Sequence, residues 1–220
     1  MYIVTGGAGL IGSAIVWGLN RQGVEDILVV DHLGQSDKWK NLSALAFTDY
    51  LEKEEFRARL AAGGFNGERV EGVIHMGACS STTERDASYL IDNNFHATQE
   101  LAKFCLARGI RFLYASSCAT YGDGSCGYVD DESRIEELRP MNMYGYSKQL
   151  FDLWAKRQGV LSKMTGCKFS NVYGPNERHK AEMRSVVLRA FEQITATGKL
   201  KLFRSYRPEY ADGEQMRDFL

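Results

Sequence analysis

Thr5-Gly6-Gly7-Ala8-Gly9-Leu10-Ile11-Gly12 lies between the apolar run Tyr2–Thr5 and a stretch in which Ile11, Ala14, Ile15 and Leu19 fall on one helical face. Gly6, Gly9 and Gly12 recur at every third position. A tight turn after a strand needs residues without a Cβ, and so does backbone that approaches a pyrophosphate closely. The helix that follows aims unpaired N–H groups and a positive dipole end at such phosphates. Gly12 lets that helix sit close to the strand. Asp31, about 20 residues on and at the end of a second apolar run, completes a dinucleotide-binding pattern.

Working outward, further short apolar runs follow at Ile27–Asp31, Val73–Met76, Phe112–Ser116 and Phe169–Val172. Leu101, Ala102 and Cys105 share a helical face between two of these runs, and Ser147, Leu150, Phe151 and Trp154 share another. Strand-like runs alternating with helices predict an α/β fold, a doubly wound (Rossmann) parallel sheet covered on both faces. The polar, acidic segment Gly122–Pro140 and the segment Tyr206–Glu214 read as loops.

Composition narrows the function. Of 220 residues, 27 are basic and 28 acidic, so the net charge of -1 gives no reason to expect a nucleic acid or an anionic membrane as partner. No apolar run is long enough to span a bilayer. The first residues enter the glycine-rich segment without a basic leader, which predicts no signal peptide. The five cysteines (79, 105, 118, 126 and 167) include no C-x-x-C pair. They read as reduced thiols of a cytoplasmic protein, in core or loop, with no metal site.

The chemistry centres on Tyr144-Gly145-Tyr146-Ser147-Lys148. Tyr144 and Lys148 lie one helical turn apart, and a cation beside a phenol lowers its pKa. Such a tyrosine exchanges a proton with a substrate alcohol while hydride moves to a nicotinamide, whose ribose Lys148 also holds. Tyr146 has no lysine four residues on, so Tyr144 is the expected base. Ser117, at the end of the fourth predicted run, falls where a doubly wound sheet places its ligand crevice and is expected to hold the substrate oxygen. Asp31 suits the ribose diol of NAD. His32 beside it and Lys38 nearby supply charge that would offset repulsion of a 2′-phosphate, so the residues leave NAD and NADP both open.

TGGAGLIG, HMGACSSTTE, ASSCATYG, YGYSK, and NVYGP with His179-Lys180 after it, resemble the nucleotide-sugar epimerases of the extended short-chain dehydrogenase/reductase type. Within that group the resemblance, running from Met1 to Phe219, is to the heptose epimerases that act on an ADP-heptose. It implies oxidation of C6 of ADP-D-glycero-D-manno-heptose to a ketone with tightly held NADP, then return of hydride to the other face, in making lipopolysaccharide core precursors. Two acid/base groups are implied, Tyr144 and Lys180. The cofactor would touch Leu10, Ile11, Asp31, His32 and Lys38. It would also touch Lys53, Met76, Gly77, Ala78, Cys79, Ser80 and Asn93, with Tyr144, Lys148, Val172 and Lys180 closing the site. The substrate would touch Ser117, Asn171, Glu182, Arg189, Phe203, Ser205 and Arg217, the last as a bidentate partner of the pyrophosphate. His32 and Met76 differ from the residues usual in the family.

The resemblance also implies a homo-oligomer and roughly a hundred further residues. We therefore expect residues 1–172 to form the dinucleotide-binding domain and 173–220 to begin a substrate-binding region whose larger part is missing. Such a chain would bind cofactor, turn over poorly and leave an unpaired strand edge. Two other readings use the same motifs: another nucleotide-sugar epimerase or dehydratase of the superfamily, and a non-catalytic dinucleotide-binding module.

Overall fold

The fold follows from the alternation of buried strands and amphipathic helices. A computed structural model describes residues 1–206, 208–216 and 218–220. Its strands are β1 (Tyr2–Thr5), β2 (Ile27–Asp31), β3 (Asp49–Glu52), β4 (Gly72–His75), β5 (Arg111–Ser117) and β6 (Thr165–Phe169). Its α-helices are α1 (Leu10–Arg21), α2 (Lys53–Ala61), α3 (Ala87–Leu90), α4 (Ala97–Arg108), α5 (Met143–Arg157) and α6 (Val186–Thr197). A π-helix, Ile91–His96, joins α3 to α4.

The strands form one parallel sheet in the order β3-β2-β1-β4-β5-β6. The order reverses direction between β1 and β4. At such a switch point the loops leaving the two strands diverge and open a crevice at the carboxyl edge. Alternation along the strands sorts the core onto two faces. Ile3, Leu28, Val30 and Val73 pack with Leu101 and Cys105 of α4 and Phe151 of α5. Val4, Ile27 and Val29 pack with Val16 of α1 on the other side.

Two strands differ from the sequence-based expectation. β3 was not anticipated: its residues, Asp-Tyr-Leu-Glu, show only Leu51 buried, as suits an edge strand with little apolar signal. The fifth run was expected at Phe169–Val172, but β6 ends at Phe169 and starts at Thr165. Its sequence, Thr-Gly-Cys-Lys-Phe, carries too little apolar character to be read as a strand. Beyond it, Asn171 bridges to Phe219 in parallel, and the Leu220 amide donates to the Asn171 carbonyl (2.9 Å). The acidic loop Gly122–Pro140 holds one short 3-10 helix, Glu132–Glu137.

Candidate active site

The glycine turn is shaped by contacts that exclude a side chain. Gly6 adopts φ +66°, and a Cβ there would lie 2.7 Å from the Gly77 amide nitrogen. A Cβ on Gly12 would lie 2.1 Å from the Gly6 carbonyl oxygen, so only glycine lets α1 start against the turn. Gly9 caps α1 without a side chain, leaving the first-turn amides of Leu10, Ile11 and Gly12 outside the intrahelical ladder. This cradle of bare backbone at a helix N-terminus fits a dinucleotide pyrophosphate.

Asp31 closes the far side of the turn. Its carboxylate accepts from the Ala8 amide (2.9 Å), the His32 amide (2.7 Å) and the Lys38 ammonium (2.6 Å). Both carboxylate oxygens are therefore engaged, and Lys38 offsets the charge. His32 pairs outward with Glu52 (3.0 Å).

The opposite wall comes from the loop after β4. Thr5 Oγ1 accepts from the Gly77 amide (3.1 Å) and bonds the His75 ring (2.6 Å), whose other nitrogen meets Thr98 Oγ1 (2.9 Å). Burial first, and the Lys148 charge second, push His75 down to about 3, so it is neutral. Asn94, in the π-helix and almost fully buried, accepts from the Cys79 amide and donates to its carbonyl (2.9 and 3.0 Å) and to Ser147 Oγ (3.0 Å). Ser147 in turn donates to the Tyr144 carbonyl (2.7 Å). One amide thus ties the Cys79 loop to α5.

α5 begins at Asn142, whose side chain accepts from the Gly145 amide (2.8 Å) and fixes the turn that carries Tyr144. The Ser117 side chain, whose hydroxyl oxygen accepts from the Ala119 amide (3.1 Å), lies beside the Tyr144 phenol and favours its charged form. Tyr146, by contrast, points to solvent. Lys148 is 5% exposed and donates to the Ala115 carbonyl (2.8 Å). Burial lowers it to about 8, with Asp152 acting the other way. The expectation that Lys148 lowers the phenol pKa needs correction. Burial raises the Tyr144 pKa, Ser117 opposes that rise, and the Cys79 and Cys118 thiols add to it. The lysine reaches back to the strand backbone rather than up to the phenol.

These residues converge on one crevice of about 1850 Å³ above the switch point. Gly6, Gly9, Leu10, Ile11 and Gly12 line it, with Asp31, His32 and Lys38. So do Met76, Gly77, Ala78, Cys79 and Ser80, then Ser117, Tyr144, Lys148, Asn171, Val172, Lys180 and Glu182. Lys180 is carried by the 3-10 segment Pro175–Met183; burial lowers its pKa and Glu177 acts against that. The structure does not bring every expected residue there. Lys53 donates to Asn93 (2.7 Å), and neither lines the crevice wall. Arg189 turns to Glu182 (3.7 Å) at the surface. Phe203 is 62% exposed, and the Ser205 amide donates to Asp212 (2.7 Å), both away from the crevice lining. Arg217 lies outside the described residues.

Several contributors were not read from sequence. Asp152 stands eight residues beyond Tyr144 on the same face of α5, a spacing that could have drawn notice. Asn94 sits in a π-helix, where a 3.6-residue period gives no guide. Asn41 and Asn176, which tie the Lys180 segment to the glycine turn (Asn41 Nδ2 to the Ala8 carbonyl, 2.8 Å, and to the Asn176 carbonyl, 3.0 Å; Asn176 Nδ2 to Ser13 Oγ, 2.9 Å), carry no sequence signal.

With the geometry in place, residues 2–220 match the model of the NAD dependent epimerase/dehydratase family. The chain belongs to this family. It is 56% identical, over all of its 220 residues and 68% of the other protein, to ADP-L-glycero-D-manno-heptose-6-epimerase of Nitratidesulfovibrio vulgaris strain DP4. The protein of that name from Fusobacterium nucleatum is 49% identical over the whole chain and 67% of its own length. Among solved structures, the Helicobacter pylori ADP-L-glycero-D-manno-heptose-6-epimerase superposes with TM-score 0.82 at 25% identity, covering 100% of this chain and 68% of that one. UDP-glucose 4-epimerase of Thermotoga maritima gives TM-score 0.77 at 26% identity, with 100% and 68% covered. The family description makes the cofactor class a nicotinamide dinucleotide. No helix of the described residues is long and apolar enough to cross a membrane.

Proposed function

We propose that this chain inverts C6 of the heptose in ADP-D-glycero-D-manno-heptose by oxidation and re-reduction, with NADP as the bound dinucleotide. One observation carries the reading. The Ser117–Tyr144 pair and the buried Lys148 ammonium lie in the same crevice as the glycine cradle and Lys180. The identity of 56% to a protein named for this reaction supports the choice of sugar.

A bound nicotinamide supplies a two-electron acceptor that takes hydride from C6 and gives it back. The chain's own residues do the rest. Ser117 holds the C6 oxygen. The small deprotonated fraction of Tyr144, kept small by burial, takes the hydroxyl proton as the C–H electron pair leaves, so a ketone forms. Lys148 would hold the ribose of the dinucleotide and supply positive charge to the crevice. After the ketone turns over, hydride returns to its opposite face, and Lys180 delivers the proton to oxygen. Its lowered pKa suits that role. The phenol's proton and the lysine's vacancy are reset by exchange with water, and the sum is redox-neutral.

NADP is favoured because Asp31 has both oxygens occupied and its charge is met by Lys38. A carboxylate so tied repels a 2′-phosphate less than a free one. A homo-oligomer is part of the same proposal, and light scattering at several concentrations tests it.

The decisive experiment incubates the chain with ADP-D-glycero-D-manno-heptose and catalytic NADP and reads the C6 epimer by proton NMR. UDP-glucose runs in parallel. Formation of the C6 epimer alone is expected. Turnover of UDP-glucose instead points to another sugar specificity. Dinucleotide binding with no turnover of either sugar points to a binding module.

A further inference from the structure

Tyr144, Lys148 and Asp152 occupy positions i, i+4 and i+8 of α5, one stripe that faces the crevice. Asp152 is 2% exposed. It accepts from Tyr114 Oη (2.9 Å), Ser116 Oγ (2.7 Å) and Lys168 Nζ (3.2 Å). Lys168 also donates to Thr120 Oγ1 (2.7 Å) and lies over the Tyr121 ring (5.1 Å). Lys148 gives its hydrogen bond to Ala115, so Asp152 reaches it only through space. A buried ammonium without a counter-charge sheds its proton.

We propose that Asp152 is a positioning residue for Lys148: its carboxylate, shared with Lys168, is the counter-charge that keeps the ammonium at the crevice floor protonated. The proposal rests on reading Lys148 as the holder of the dinucleotide. The other titratable groups around the pair are accounted for. His75 of β4 is neutral. Burial first, and Asp152 second, hold Tyr114 of β5 protonated, so it remains a donor. Cys167 of β6, and Cys118 and Tyr121 of the turn after β5, are all shifted upward by burial and stay uncharged. Tyr144 shares the stripe, and Glu132 of the acidic loop faces Tyr114 from further out. Lys148 and Asp152, both buried, and the partly exposed Lys168 thus set two cations around one anion. Removing the anion and removing the competing cation must move Lys148 in opposite directions.

The test titrates NADPH fluorescence against pH 6 to 10 with the whole chain. Affinity of the unaltered chain falls as pH rises through about 8, as Lys148 loses its proton. Asp152→Asn is expected to lower that midpoint by about one pH unit, making binding roughly fivefold weaker at pH 8. Lys168→Met is expected to raise it, and Asp152→Glu to keep it. His179 and Lys180 titrate in the same crevice but are common to all four proteins, so their effect cancels. A folded Asp152→Asn chain with an unmoved midpoint overturns the proposal, as does Lys168→Met moving it down. Loss of fold in both variants would assign Asp152 to stability and overturn it too. Absence of NADPH binding by the unaltered chain at pH 7 would instead refute the reading of the crevice itself.

Discussion

At the scale of single residues, burial raises the pKa of the phenol at position 144 and Ser117 opposes that rise, while the lysine one turn away bonds Ala115 instead. Tyr144→Phe removes the proposed proton acceptor but little of the cradle. Epimerisation should fall by about 10²-fold or more, with NADPH affinity within roughly threefold of the parent. A parallel loss of binding would mean that the hydroxyl serves the dinucleotide. Lys38 gives a second forecast. Without it Asp31 keeps its charge unmet, so Lys38→Ala should weaken NADPH by about tenfold, close to 1.4 kcal/mol, and NADH much less. Paired titrations with the two dinucleotides decide it; equal losses would refute the assignment. That Tyr144 and Lys148 share one crevice was readable from the Tyr-x-x-x-Lys spacing. Where the ammonium points was not, because its hydrogen bond goes to β5, a strand about 30 residues earlier that only tertiary packing brings near.

At the scale of elements, α5 is the arm that presents the site, and its first turn is fixed by Asn142. Replacing that cap with alanine should cost about 1 kcal/mol in chemical denaturation. It should also lower turnover, since Tyr144 lies two residues into the helix. An unchanged unfolding midpoint would show that tertiary contacts alone hold the turn. Elements with strong periodicity or continuous burial were legible in advance. β1 and β2 were expected at the bounds observed, because every residue of β2 is buried and apolar up to Asp31. β3 and β6 were missed or misplaced because an edge position tolerates polar residues. The glycine turn was the clearest signal of all, since its steric demand excludes every other residue type.

At the scale of the whole molecule, acid should act through His75. Its folded-state pKa lies near 3 against an ordinary 6.5, so between those values the unfolded chain binds the extra proton. Stability from this group is complete above pH 6.5 and drains away as pH falls toward 3, by at most about 1.4 kcal/mol per pH unit. His75→Gln should flatten the acid limb of a stability-against-pH curve; an identical slope in both chains would contradict this. The other whole-molecule feature is α6, none of whose residues is buried and whose Phe191 is 63% exposed. The curated relatives are longer, the chain spanning 68% of one of them. Such an apolar face binds hydrophobic dyes. Anilinonaphthalene sulfonate fluorescence should be high and should drop in Phe191→Glu. A dye signal indifferent to that change would place the apolar surface elsewhere.

The Asn41 amide faces three acceptors, the carbonyls of Ala8 and Asn176 and a ring nitrogen of His179, but carries two hydrogens. The three contacts share those hydrogens, and the sharing ties the glycine turn to the segment bearing Lys180. Under the proposed hydride-borrowing mechanism, such a tie would favour a nucleotide that stays seated between catalytic rounds while sugar alone comes and goes.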